Sequence, residues 1–369
     1  MKTYTVSLPN YTIGTEAYKA IPHECGFYGK NAVVIGGKTA MAKSKDALLE
    51  GVKGSDIKIT DFIWYGGDAS FTNGDKLIAD ERVRNADMLF VVGGGRACDT
   101  GKYVADVLDK PLFTFPTVAS NCAAVTQICV MYNDDGSFGK YYYPKRITNH
   151  AFINSAVIAD SPVNLLWAGI GDALSKECEA LFASRDAELF HTTYMGRQVS
   201  RICTDPLLQY GKQALADIKA KKASFALDQV TLDIIMSTGI VSNLMTTADD
   251  YYFNSSIAHM VYNGSTITPH SHNHMHGEVV SLGVLCLLTY EKNYELCDKI
   301  RKFNHELGLP VCFGDIEVTE EMFPMIAQKA TATTEWAHRP ASANITVESL
   351  IACMKETDEA GRKFKKAAE

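Results

Sequence analysis

The chain has 369 residues, 46% of them hydrophobic and 21% charged, with a formal net charge of −7. Those proportions belong to an ordinary globular protein, and the length suggests two domains. The acidic balance argues against a nucleic-acid or anionic-membrane partner. Ten cysteines are scattered without a CxxC pair, so neither a zinc ribbon nor a small disulfide scaffold is expected. Free thiols in a chain of this size fit a reducing cytoplasm. The start, MKTYTVSLPNYTIG, has no signal-peptide core, and no apolar stretch is read as reaching the roughly 20 residues that span a bilayer. A cytoplasmic protein is expected.

Residues 31–37, NAVVIGG, predict a buried strand running into a tight turn. Residues 41–52 follow with helical spacing. Residues 57–65 read as a second strand, closed by Gly66 and Gly67, and residues 77–83 as helix. Residues 88–92, MLFVV, form a third strand that meets Gly93-Gly94-Gly95, and helical pattern resumes over 104–108. Residues 111–117 make a fourth strand. Strands that alternate with helices and end in glycines predict a parallel sheet covered on both faces. Ligands bind such sheets at the carboxyl ends of the strands. Residues 93–99, GGGRACD, are therefore the candidate phosphate cradle. Glycine admits a ligand close to the backbone, and a helix start offers N–H groups to an anion. The spacing is not the full G-x-G-x-x-G, and a plain strand-to-helix turn uses the same glycines. Residues 117–120 bring hydroxyls to the neighbouring loop, as ligand donors or as turn caps.

Residues 130–143 read as a β-hairpin turning at Asp135-Gly136, and 152–159 as a further strand. Asp160-Ser161-Pro162 is a helix-start signal. Beyond it, helix is favoured over 165–182, 214–245, 249–262, 279–290, 295–307, 320–330 and 347–364. The prediction is an α/β nucleotide-binding domain over residues 1–160 and a helical domain over 161–369, with the cleft between them as the natural site.

Five of the ten histidines fall within residues 259–278: His259, His270, His272, His274 and His276. Imidazole is the commonest protein ligand of a catalytic zinc or iron. Two histidines from separate elements and one carboxylate would leave an open coordination position, the layout of a metal that acts on substrate. Asp172, in GIGDALSK, is the candidate carboxylate. A solvated His-rich loop with adventitious metal affinity would have the same composition.

The order of these features resembles the glycerol dehydrogenase family, within the iron-containing alcohol dehydrogenase and dehydroquinate synthase-like superfamily. The resemblance runs nearly end to end, through YTIGTEAYKAI, VVIGGK, VVGGGRACDTGKYVAD, PTVASNCAAVTQICVMYNDDGSF, LLWAGIGDALSKECEA, AHMVYNG and HGEVVSLGVL. It implies a Rossmann-like parallel-sheet domain, a C-terminal helical domain and a metal in the interdomain cleft. It implies Asp172, His259 and His276 as the metal ligands, catalytic through the metal. Iron-type relatives add a histidine four residues after the aspartate, where this chain has Lys176. Three ligands and one open position fit zinc, with iron(II) as the alternative. His270, His272 and His274 match no ligand of the family.

The same resemblance places the dinucleotide contacts on Gly94, Gly95, Asp99, Thr117, Ser120, Thr126, Ile128 and Tyr132. NAD-preferring members carry an acidic residue at the end of the first strand, where it accepts the ribose 2′-OH. Here that position is Gly37, followed by Lys38. Without the carboxylate a 2′-phosphate is not repelled, and a lysine attracts it, so NADP is expected to be accepted alongside NAD. Glycerol dehydrogenases also have an aspartate two residues after the loop serine, and it binds a substrate hydroxyl. Here it is Cys122, and a thiol is a poor acceptor for a polyol. This loop is similar to that of the hydroxycarboxylate dehydrogenase branch, which reduces 2-oxo acids. The expected activity is metal-dependent, NAD(P)-linked hydride transfer on a small alcohol or carbonyl compound, leaning to 2-hydroxy and 2-oxo acids. The alternatives are a true glycerol or polyol dehydrogenase, and a dehydroquinate synthase-like cyclase. The resemblance further implies a homo-oligomer.

Overall fold

The computed structural model describes residues 4–247, 252–332 and 340–368. The chain forms two compact units, Met1–Leu166 with Gln213–Asn243, and Trp167–Lys212 with Leu244–Glu369.

The first unit is built on a six-stranded parallel sheet. Its strands are β1 (Tyr11–Gly14), β2 (Asn31–Gly36), β3 (Lys58–Trp64), β4 (Met88–Gly93), β5 (Leu112–Pro116) and β8 (His150–Asn154), in the order β1-β8-β5-β4-β2-β3. The sequences VVIG, LFVV and LFTF lie on adjacent central strands and are buried throughout. Near-continuous apolar runs are what a parallel strand needs when helices cover both faces. Aromatic rings fill one face: Phe115 stacks on Phe152 at 4.9 Å and meets Phe90 at 5.0 Å and Tyr18 at 5.2 Å. The hairpin strands β6 (Cys129–Tyr132) and β7 (Phe138–Tyr142) pair antiparallel as a separate ribbon.

Strands β2 to β5 and the hairpin fall where the sequence puts them, but the helix predicted over 77–83 is two, Phe71–Ala79 and Glu81–Asn85, parted at Asp80, whose side chain caps the second. Two edges of the pattern differ. β1 was not expected; it is four residues long, only partly buried, and pairs with β8 at the sheet margin. β8 begins at His150 and ends at Asn154, earlier than the predicted 152–159. The Asn154 side chain accepts from the Ala156 and Val157 N–H groups and turns the chain into the short helix Ser155–Ala159. The run Phe225–Met245 also departs from expectation. It is helical over 21 residues and apolar enough to cross a membrane by length and composition, but 67% of its apolar window is buried inside the protein. A π-turn at Asp233–Ser237 interrupts it. The helix predicted over 249–262 appears as Ile257–Ser265, and residues 249–251 lie outside the described residues.

Helix Gly95–Val107 must sit flat on the sheet, and Gly101 permits it. A Cβ at that position would stand 2.2 Å from Val91 Cγ2 of β4. Gly101→Ala should therefore destabilise the protein by about 1–3 kcal/mol, the usual cost of overpacking a tight core. Thermal unfolding would show the loss; an unchanged melting temperature would mean that helix and strand can part without cost.

The second unit is helical. Its central helix, His276–Tyr290, is buried on almost every side and is flanked by helices Ser175–Ala183, Ile257–Ser265, Tyr294–Leu307 and Val347–Ala368.

Candidate functional site

In the second unit, helix Val163–Ala173 and helix His276–Tyr290 meet backbone to backbone. A Cβ on Gly277 would stand 1.9 Å from the Ala168 carbonyl oxygen, and one on Gly171 would stand 2.4 Å from the Gly277 oxygen. Only glycine fits such a crossing. A second close crossing joins the same central helix to helix Ile257–Ser265, where a Cβ on Gly283 would lie 2.4 Å from the Ala258 oxygen. Asp172, His276 and His259 each neighbour one of these contacts in sequence, so the three side chains converge. His276 Nε2 lies 3.2 Å from Asp172 Oδ1, and His259 Nε2 lies 3.6 Å from the same oxygen. One donor atom from each residue falls within 4.8 Å of the others. Among the described residues this is the one such group.

Glu179, which the sequence reading did not single out, fixes the orientation. Its fully buried carboxylate accepts from the backbone N–H of Ser256 at 2.6 Å and of His259 at 3.0 Å. Its other oxygen takes the His259 Nδ1 proton at 2.6 Å. The carboxylate thus caps helix Ile257–Ser265, whose start has no side-chain cap of its own, and leaves His259 Nε2 as the free donor. A trace was present in the sequence: on the single helix predicted over 165–182, Asp172 and Glu179 stand two turns apart on one face, although the structure divides that run into helices Val163–Ala173 and Ser175–Ala183. Burial by itself would raise the Asp172 carboxyl, but His276 and His259 hold it at about 2. Burial works against a charged His259, and Glu179 outweighs it, so His259 titrates above its usual range. A carboxylate kept ionised beside two imidazole nitrogens, with a second carboxylate behind one ring, is a donor set that fits a divalent metal.

Lys176, one turn beyond Asp172, does not join this group. Its ammonium donates to Asn254 Oδ1 at 2.6 Å. His274 is clamped away from it as well, with Nδ1 at 2.9 Å from Glu278 and Nε2 at 3.2 Å from Glu317. His270 and His272 lie on the same loop, and both are exposed. Tyr262 packs edge-on against the His276 ring at 4.2 Å.

In the first unit the predicted dinucleotide residues cluster at the carboxyl ends of neighbouring strands. Gly37 and Lys38 follow β2, Gly94 and Gly95 follow β4, and Thr117 and Ser120 follow β5. Helix Gly95–Val107 starts without any side-chain cap, so its first N–H groups are available to an anion. Lys38 is exposed, with its ammonium 4.4 Å from the centre of the Trp64 ring. Tyr132 lies on β6 under the Arg96 guanidinium, 5.2 Å away.

Asp99, Thr126 and Ile128 converge instead on a residue the sequence reading passed over. Lys102 is buried, and its ammonium lies 2.8 Å from Asp99 Oδ1. It donates to the Ile128 oxygen at 2.6 Å and to the Thr126 oxygen at 3.2 Å. Burial opposes its charge, and Asp99 outweighs that opposition. The second Asp99 oxygen accepts from the Val130 N–H at 3.1 Å. Nothing in the helical spacing of GKYVAD marks Lys102 as different from a solvated lysine. Cys122 lies on the loop between β5 and β6; it is partly exposed, whereas the other nine cysteines are buried.

Comparison with known proteins agrees with this architecture. Residues 9–160 match the model of the family described as iron-containing alcohol dehydrogenase. The chain is 27% identical to the glycerol dehydrogenase of Pseudomonas putida over 365 residues, covering 96% of each. It is 29% identical to hydroxycarboxylate dehydrogenase A of Escherichia coli, over 79% of this chain and 76% of that one. The crystal structure of glycerol dehydrogenase from Schizosaccharomyces pombe superposes with a TM-score of 0.84 at 25% identity, covering 100% of this chain and 93% of that one.

The Glu179 contact yields a test that does not depend on turnover. Glu179→Gln keeps the shape but removes the charge behind His259, and metal affinity should fall about 10–100-fold. Competition for zinc with a coloured chelator measures it. Affinity equal to wild type would make Glu179 a helix cap alone.

Proposed function

We propose that the chain is a member of the glycerol dehydrogenase family, within the iron-containing alcohol dehydrogenase superfamily, and that it is a metal-dependent, NAD(P)-linked oxidoreductase of small 2-hydroxy and 2-oxo acids. The observation that carries the reading is the convergence of Asp172, His259 and His276, with Glu179 behind them. These three residues would hold the metal, and zinc suits them, because Lys176 stands where a fourth ligand would be and is engaged by Asn254. When bound, the metal supplies Lewis-acid polarisation of the substrate oxygen. The protein's own part is positional. Glu179 orients His259, and the glycine crossings keep the donor atoms together without intervening side chains. The uncapped start of helix Gly95–Val107 would hold the cofactor pyrophosphate, and the nicotinamide, when bound, would supply hydride-transfer chemistry.

Substrate class rests on Cys122. A polyol presents hydroxyl donors and calls for an acceptor, which a thiol supplies poorly. An anionic substrate, by contrast, gains from the absence of a carboxylate at this position. The hydroxycarboxylate dehydrogenase among the similar proteins is in keeping with this choice. Glycerol oxidation is the second reading, favoured by the relatives that carry that name.

Offering NADPH or NADH to zinc-loaded protein, with either a short 2-oxo acid or dihydroxyacetone, separates the two by the loss of reduced-nicotinamide absorbance. Faster turnover of the oxo acid is expected. Faster turnover of dihydroxyacetone would assign the chain to glycerol. Chelation should abolish turnover, and zinc should restore it; restoration by iron(II) alone would overturn the choice of metal.

Cofactor preference follows from Gly37 and Lys38. A Cβ at Gly37 would meet Ala40 and Tyr65 at 3.7 Å each, an ordinary contact, so a side chain fits there. Gly37→Asp should lower the NADP-to-NAD ratio of kcat/KM by about tenfold or more, since a carboxylate then faces the 2′-phosphate. An unchanged ratio would place the adenosine ribose elsewhere.

A further inference from the structure

The segment joining β5 to β6 has almost no ladder of its own, yet it carries Cys122, Thr126 and Ile128. Buried backbone groups must be paired, and here side chains from other elements pair them. Thr114 Oγ1 donates to the Ala124 oxygen at 2.9 Å, and Lys102 donates to the oxygens of Thr126 and Ile128. The remaining support is Asn243, which is nine-tenths buried. Its Nδ2 donates to the Val125 oxygen at 3.0 Å, and its Oδ1 accepts from the Gln127 N–H at 2.9 Å. One amide thus holds both sides of Thr126. The Val125 N–H in turn donates to the Cys122 oxygen at 3.0 Å, so whatever holds Val125 also holds Cys122.

Asn243 does not act alone. Gly239 is four residues earlier, on the same helical face. A Cβ there would stand 2.4 Å from Val125 Cγ2 and 3.4 Å from Cys122 Cβ. The loop therefore lies directly on the helix, drawn in by the amide and admitted by the glycine. The π-turn Asp233–Ser237 lies just before this pair and resets which residues face the loop.

We propose that Asn243 is a positioning residue that sets substrate specificity: it fixes the backbone on either side of Thr126 and, through Val125, the place of Cys122. The assignment rests on the reading that Cys122 faces the substrate. Lys102 holds the Thr126 and Ile128 carbonyls, where cofactor contacts are expected, without Asn243, whereas the Val125 carbonyl, and through Val125 the place of Cys122, is held by Asn243. Loss of Asn243 then moves substrate preference and leaves nucleotide affinity largely in place.

Two variants test this. Asn243→Leu removes both hydrogen bonds at similar volume. Asn243→Asp keeps the acceptor for the Gln127 N–H and loses the donor to the Val125 oxygen. Three quantities are measured on the zinc-loaded full chain: the ratio of kcat/KM for a short 2-oxo acid over dihydroxyacetone, the NADPH dissociation constant by fluorescence, and the rate of Cys122 alkylation by iodoacetamide, read by mass spectrometry. Thermal unfolding confirms that each variant is folded. The expected result is a change of about tenfold or more in the substrate ratio, the scale set by small misplacements near reacting groups. Cys122 alkylation should rise severalfold, with NADPH binding within about twofold of wild type. Wild-type alkylation rates in both variants would overturn the proposal. So would a loss of NADPH affinity in parallel with activity at a constant substrate ratio. If wild type prefers dihydroxyacetone while the variants still alkylate faster, the positioning role stands and the substrate reading falls.

Discussion

Backbone contact between helices at glycines is the constraint on which the convergence of Asp172, His259 and His276 depends. Gly171 and Gly277 touch across one crossing, and Gly283 touches Ala258 across another. Each glycine in a helix costs roughly 0.5–1 kcal/mol relative to alanine. The return is proximity. Helices separated by ordinary side chains sit about 8–10 Å apart, and glycine lets the backbones here come into direct contact. With the side chains removed at the crossing, Asp172 and His276 come within 3.2 Å directly beside it. Glu179 completes the arrangement by tying the start of the third helix, at Ser256 and His259, to the helix that follows Asp172.

The parts of this design that could be read from sequence are those with local signatures. Apolar runs bounded by turn residues marked the central strands, and the family resemblance carried by HGE, an upstream histidine and the aspartate picked out the three residues that converge. What escaped depends on distance along the chain. Glu179 and His259 are 80 residues apart, Asn243 and Gln127 116 apart, and Tyr11 pairs with Ala151 across the sheet margin. Lys102 and Asn243 are types usually found in water, and only the fold shows them buried and satisfied. The strand ending at Asn154 was overextended because SAVIA has strand-like composition; one side-chain cap was enough to reverse it. Of the three further histidines, His274 is not simply solvated, since two carboxylates hold it.

A buried ammonium is expensive unless its hydrogen bonds are complete, and replacing such a pair with apolar groups often stabilises a protein. The Asp99–Lys102 pair therefore calls for a reason other than stability. Its acceptors supply one: besides Asp99 they are carbonyls of the irregular segment leading into β6, where a regular ladder would fix the backbone but would also flatten it into a strand. Side-chain clamps hold a non-repetitive path with comparable definition.

The end of β2 and the segment that carries Cys122 consequently have separate supports within the first unit. Gly37 and Lys38 open a helix directly from β2, and their position is set by the sheet and that helix. Cys122 belongs to a segment set by Thr114, Asn243 and Lys102. A change at the end of β2 leaves the clamps untouched, and a change in the clamped segment leaves β2 untouched. Sequence variation at either place can then proceed without disturbing the contacts that gather Asp172, His259 and His276. On the function proposed, such a division would let substrate preference change while Asp172, His259 and His276 stay in place.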